Sequence, residues 1–262
     1  MSDLQQSAVP SGLPFAERVI LVGSDEPFRW LAAGWRDFAA ARVTSVAYGM
    51  LFVVAGFALS YGLIVLGLTY LIGPLTVGFM LVGPALTVGF YAISRDLESG
   101  RRPSFSRAFT AWRANPAQLI SLGLLQVVFL VVWVRFAAVI FAICFPPTTL
   151  DTQALLNTAL FTTDGNTFLL VGTIVGAGMS CLAFTFGAFS LPLLLDRRAG
   201  ALAAVVTSAV AVILNIRAMA VWAGIVVVLG AAGLAAGYVG LAITLPLLGH
   251  ATWHAYRGVI RA

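Results

Sequence analysis

Every cationic side chain of this 262-residue chain is arginine, and 14 of the 15 fall into four clusters separated by long uncharged apolar stretches. Arg18, Arg29, Arg36 and Arg42 precede the first stretch, and Arg95, Arg101, Arg102, Arg107 and Arg113 follow the second. Arg197, Arg198 and Arg217 follow the fourth, and Arg257 and Arg261 close the chain. Only Arg135 lies inside an apolar run. Cationic segments stay on the cytoplasmic side during insertion, so this distribution constrains both the number of membrane crossings and their direction.

Composition agrees. A chain that is 60% hydrophobic and 10% charged, with mean hydropathy +0.99, has membrane rather than soluble proportions. The expected anionic partner of the arginines is the lipid headgroup layer, not nucleic acid, since no basic stripe on a soluble module is present. Residues 1–24 contain only the short apolar run Val19–Val22, too brief for a signal-peptide core, so the first span is expected to serve as an uncleaved insertion signal. Cys144 and Cys181 are expected at depths roughly 20 Å apart, too far to bridge.

The uncharged run Val43–Ser94 is too long for one helix, because a bilayer core needs about 20 residues per span. Division near Gly67–Gly73 predicts spans at 44–66 and 72–94. Ala117–Phe145 is the third, stopped by Pro146 and Pro147, and Phe168–Leu195 is the fourth. Ala218–Gly249 divides near Gly230–Gly237 into two more, a single long tilted helix being the alternative. The expectation is an all-α membrane protein with six transmembrane helices in three hairpins. Residues 1–25 form a flexible cytoplasmic tail and 26–262 a single membrane domain. The one sizeable external loop, 146–167, holds Asp151 and Asp164 and no cation, which places both termini in the cytoplasm.

Each hairpin is preceded by an amphipathic segment expected to lie in the membrane interface. Phe28, Leu31, Ala32, Trp35, Phe38 and Ala39 form one stripe; Phe105, Ala108, Phe109 and Trp112 a second; Leu202, Val205, Val206, Ala209 and Ile213 a weaker third. Phe28 and Trp35-Arg36 recur as Phe105 and Trp112-Arg113, while Asp96, Gly100 and Asn115 recur as Asp196, Gly200 and Asn215. Pro84, Tyr91 and Arg95 match the spacing of Pro246, Trp253 and Arg257. These matches suggest a threefold internal repeat.

Few residues could carry chemistry. Pro84, Pro192 and Pro246 each remove a backbone donor from an even-numbered span, which reads either as ordinary kinking or as a broken-helix substrate site. Arg135, 18 residues past the start of its run, reads as an anchor at the outer interface or a partner of the outer-loop acids, with an anion or pathway site as the sharper alternative. His250 and His254 stand four apart on one helix face, a workable pair of metal ligands. Asp96 and Asp196 could add oxygen ligands from the same membrane side. The competing reading is a pair of interfacial histidines bonded to loop carbonyls or headgroups. No phosphate loop, activated nucleophile or paired carboxylate is present in a span, so neither catalysis nor a cofactor is expected.

Four stretches together resemble a known family: Pro27 through Phe38, Gly83 through Asp96, Ser190 through Arg197, and Gly249 through Arg257. They are similar to an uncharacterised family of bacterial integral membrane proteins, a domain of unknown function, some members of which are labelled as cytochrome c oxidase subunits. The likeness covers residues 20–258 and implies a bacterial inner-membrane protein without an established activity. Two histidines cannot ligate two haems and a copper, so the chain is not the catalytic oxidase subunit. The resulting expectation is a non-catalytic accessory, assembly or scaffold protein, associated with another membrane complex such as a respiratory one. A small transporter or channel-like protein and a metal- or haem-binding membrane protein are the alternatives.

Overall fold

The computed structural model describes residues 18–145, 157, 158 and 160–261, and these are almost wholly helical. In chain order the helices are α1 (Glu26–Ala40), α2 (Arg42–Val65), α3 (Ile72–Leu86), α4 (Val88–Glu98), α5 (Phe105–Phe109), α6 (Pro116–Cys144), α7 (Thr163–Gly187), α8 (Ser190–Asp196), α9 (Ala201–Leu214), α10 (Ile216–Ala235) and α11 (Leu241–Val259). Single 3₁₀ turns at Thr69–Leu71 and Ala111–Ala114 precede α3 and α6.

Four helical stretches are long and apolar enough to cross a membrane: Arg42–Val65, Pro116–Cys144, Thr163–Asp196 and Ile216–Ala235. The expected second and sixth spans do not meet that standard, for different physical reasons. The second is broken at Thr87, three residues after Pro84, whose ring removes a helical donor; Thr87 caps the end of α3. Its N–H reaches the Gly83 and Pro84 carbonyls, and its hydroxyl donates to the Pro84 carbonyl at 2.8 Å. The sixth, α11, carries His250, Thr252, Trp253, His254, Tyr256 and Arg257 in its second half. The last apolar run is two helices rather than one, with its turn at 236–240, slightly later than the glycine pattern predicts.

Helix α11 is the centre of the packing, and small residues let its neighbours approach. A Cβ on Gly34 of α1 would sit 2.6 Å from the Ala251 nitrogen, and one on Gly49 of α2 would sit 3.0 Å from the Ala242 carbonyl oxygen. On α11 itself, a Cβ at Gly249 would meet Phe90 of α4 at 2.6 Å. Helices α6 and α7 instead form an outlying hairpin against α3 with most of their apolar surface exposed.

The amphipathic segments each leave part of their apolar stripe exposed. In α1 the buried residues are Pro27, Trp30, Gly34 and Phe38, while Phe28 and Trp35 are 59% and 52% exposed. The second segment is not one helix but α5 and a 3₁₀ turn, burying Ala108 and Ala111 and exposing Phe105 and Phe109. In α9 the small and polar Ala204, Thr207, Ser208 and Ala211 turn inward and Leu202 and Ile213 outward. Outward aromatic and aliphatic stripes suit helices that lie against lipid.

The chain ends meet. Val19 and Ile260 form an isolated antiparallel bridge, the Ile20 N–H donates to the Val259 carbonyl, and the Arg261 N–H to the Arg18 carbonyl, both at 2.9 Å. Asn215, at the start of α10, clamps the incoming segment: its side chain accepts from the Val22 N–H at 2.8 Å and donates to the Ile20 carbonyl at 3.1 Å. The last residues of the expected tail are therefore docked; residues 1–17 lie outside the described residues. Cys144 and Cys181 are free thiols.

Candidate functional site

The polar groups of the chain converge where α1, α2 and α4 surround the second half of α11. His250 is fully buried, not interfacial. Its Nε2 is 2.9 Å from the Ser45 hydroxyl of α2 and its Nδ1 is 2.8 Å from the Ser94 hydroxyl of α4. One turn along α11, His254 Nε2 lies 2.8 Å from Asp37 Oδ2 of α1. Asp37 sits outside the expected spans. Burial pushes its carboxyl pKa up, but hydrogen bonds from His254 and Ser94 and the nearby imidazoles outweigh burial, so its pKa falls below the ordinary 3.8. Ser94 thus bonds the His250 ring and lies near enough to Asp37 to help lower its carboxyl pKa. Four helices are joined through one run of Ser45, His250, Ser94, Asp37 and His254.

A second layer of ion pairs seals the same end of the bundle. Asp96 is buried and accepts from Arg101 Nε at 3.0 Å and Arg107 Nε at 2.9 Å. Asp196 accepts from the Tyr256 hydroxyl at 2.7 Å and lies 3.6 Å from Arg257. Glu98 receives the Trp253 indole N–H and Arg257 Nε, both at 3.1 Å. Arg95 donates to the Leu195 carbonyl at 2.7 Å, a cation at the C-terminus of α8 where the helix dipole favours one. Arginines from separate sequence clusters therefore gather at one end.

The sequence-derived site residues separate in space. The two histidines share one helix face, but neither is bonded to Asp96 or Asp196, each of which is held by its own arginines. Among the described residues no group of three or more His, Cys, Asp and Glu is placed to hold a metal ion. Arg135 is exposed, with no partner among the described residues and no ion pair to Asp164; Asp151 lies outside them. Pro84 and Pro246 lie inside α3 and α11, and Pro192 in the first turn of α8. The breaks are repaired by side chains. Gln126 of α6 accepts the Ala85 N–H at 2.9 Å. Ser208 of α9 accepts the Phe189 N–H at 3.1 Å and donates to the Thr185 carbonyl at 2.9 Å. An isolated buried serine leaves little trace in apolar sequence, so Ser45, Ser94 and Ser208 escape a sequence reading; Gln126 was visible only as a rare polar residue of a span, and Asp37 only as one acid among the arginines.

No curated protein and no solved structure matches the chain. Residues 72–196, running from α3 through α8, match the family described as Predicted integral membrane protein (DUF2189). That stretch contains Ser94, Asp96 and Asp196 but not Asp37, Ser45, His250 or His254. With its four long apolar helices and this match, the chain is an integral membrane protein whose matching family is a domain of unknown function.

Proposed function

We propose that the chain is a six-span, non-catalytic protein of the bacterial inner membrane, with both termini cytoplasmic, that serves as an accessory or scaffold component for another membrane protein. One observation carries the non-catalytic reading: His250, Asp96 and the Asp37–His254 pair at the arginine-rich end are taken up by contacts within the fold. Both ring nitrogens of His250, both oxygens of Asp96 and the Asp37–His254 pair are engaged within the fold. A group bonded on every side fixes helices and has little left for a substrate.

The paired ends at Val19 and Ile260 require an even number of crossings, which four and six both satisfy, and helix length favours six. Helices α3 and α4 together cover 72–98, at most about 40 Å at 1.5 Å per residue, and α11 about 28 Å, against a core of about 30 Å. Exposed Arg36, Arg42, Arg102, Arg113, Arg198 and Arg217 have no acidic partner among the described residues and suit anionic headgroups on the cytoplasmic face. The threefold repeat belongs to the same reading. Asn115 and Asn215 both stand at helix starts and both donate to a neighbouring segment's carbonyl, Ala199 and Ile20.

Affinity purification in mild detergent tests the scaffold role. The expected result is a membrane-protein partner held at fixed stoichiometry. A chain that purifies alone and moves solutes across reconstituted liposomes would replace this reading with transport.

A further inference from the structure

At the end of the bundle away from the arginines, a cavity of about 380 Å³ opens between α2, α3 and the α10–α11 turn. Its polar lining is Ser60, Thr76 and Tyr238; every other lining residue is apolar or glycine. The Tyr238 hydroxyl lies 3.0 Å from Ser60 Oγ and 3.2 Å from Thr76 Oγ1. Three hydroxyls bring three donors, and the two contacts among them use two. One donor remains for a ligand in the cavity.

Tyr238 is held there against backbone preference. Its φ is 65°, directly after Gly237 at 64°. Glycine or asparagine suits such a turn, whereas a bulky side chain with positive φ is uncommon and clusters at functional sites. Gly56 of α2 makes room for the ring, since a Cβ there would lie 3.1 Å from Tyr238 Cγ. The cavity is larger than the ~150 Å³ apolar void known to hold a benzene. Leu51 and Leu59, 38% and 53% exposed, line it on the membrane-facing side of α2, so it is continuous with the surface that acyl chains cover.

We propose that this cavity binds an acyl chain of a membrane phospholipid, with the lipid's ester carbonyl accepting the free hydroxyl proton of the Tyr238, Ser60 and Thr76 group. The ligand class follows from the lining: a long apolar body, one hydrogen-bond acceptor and no charge.

The test uses the full chain in vesicles of phosphatidylethanolamine and phosphatidylglycerol doped with a phospholipid bearing a diazirine in its acyl chain. After photolysis, cross-links are mapped by mass spectrometry. Labelling should concentrate on cavity residues of α2 and α3. Ala55→Trp, which fills the cavity, should abolish it, and Ser60→Ala, Thr76→Val and Tyr238→Phe combined, which remove all three hydroxyls, should reduce it about fivefold, the scale of one lost hydrogen bond. Gly178→Ala on α7 should leave it unchanged. Labelling spread evenly over the exposed α6–α7 face and indifferent to Ala55→Trp would overturn the site. Should Ala55→Trp fail to fold by gel filtration, the combined Ser60→Ala, Thr76→Val and Tyr238→Phe variant decides alone, and unchanged labelling overturns the proposal.

Discussion

Helix α11 and helix α6 are both drawn from apolar sequence, yet α11 buries 12 of its 19 residues and α6 only 5 of its 29. The difference lies in the residues between the aliphatic ones. Helix α11 follows its leucines with Gly249, Ala251 and Ala255 and carries hydrogen-bonding groups at His250, His254 and Tyr256. Those features let three helices touch its backbone and bond its side chains. Helix α6 is filled with Val, Leu and Phe, whose bulk keeps neighbours at a distance and whose natural contact is lipid. Its few inward residues act singly: Gln126 repairs the break at Pro84, and the Trp133 indole donates to the Pro74 carbonyl at 2.8 Å. In a membrane chain, apolarity alone does not separate core from surface; small and polar residues do.

The sharpest contrast is between two glycines. Gly34→Ala puts a methyl into the Ala251 backbone, which cannot move aside, and should cost about 3 kcal/mol, the upper range for overpacking. Gly178→Ala on α7 meets nothing within 4 Å and should be neutral or stabilising by about 0.5–1 kcal/mol through helix propensity. Thermal unfolding in detergent measures both, and equal effects would break the comparison. His250→Ala should follow at about 2–3 kcal/mol, because it leaves the Ser45 and Ser94 hydroxyls buried without their partner. Asp96→Asn should cost about 2 kcal/mol by weakening a buried acceptor of two guanidinium groups. Breaking the exposed Arg29–Asp25 pair with Arg29→Ala should cost less than about 0.5 kcal/mol.

Asp37 adds a pH test of the α1–α11 seam. Its folded pKa lies below the ordinary 3.8, so its contribution is fully present above about pH 4. It is lost as pH falls through the folded value. Wild type should therefore lose stability on that acid limb more steeply than Asp37→Asn, and parallel profiles would remove Asp37 from the seam. The smallest effect is expected at Arg135, exposed on α6. Arg135→Lys should leave abundance and melting unchanged, and Arg135→Leu should shift stability by no more than about 0.5 kcal/mol. A loss of function in Arg135→Lys at normal abundance would point to a guanidinium site instead.

Much of the layout was legible because it follows from residue classes. Arginine clusters foretold which segments assemble at one end, and Pro146-Pro147 and Gly67–Gly73 foretold where helices stop. What was not legible depends on distant partners. The i, i+4 histidines were visible, but not that Ser45 and Ser94 would enclose one and Asp37 the other. The stripes of Phe28–Trp35 and Phe105–Phe109 were visible too. The burying face, however, proved to lie beside them, at Trp30, Gly34 and Phe38 in the first and at Ala108 and Ala111 in the second. Breaks at Thr87 and before Ser190 could be anticipated from Pro84 and Pro192; their repair by Gln126 and Ser208 could not.

The central claim is that α3–α4 and α11 cross the membrane along with the four long apolar helices, which places all arginine clusters on one side. Single cysteines at Arg102→Cys and Val239→Cys, in a background of Cys144→Ala and Cys181→Ala, test it with a membrane-impermeant thiol reagent applied to intact cells. Six crossings predict that position 239 reacts from outside and position 102 only after permeabilisation. Four crossings predict the reverse, position 102 outside and position 239 inside with the C-terminus, and that result would contradict the account.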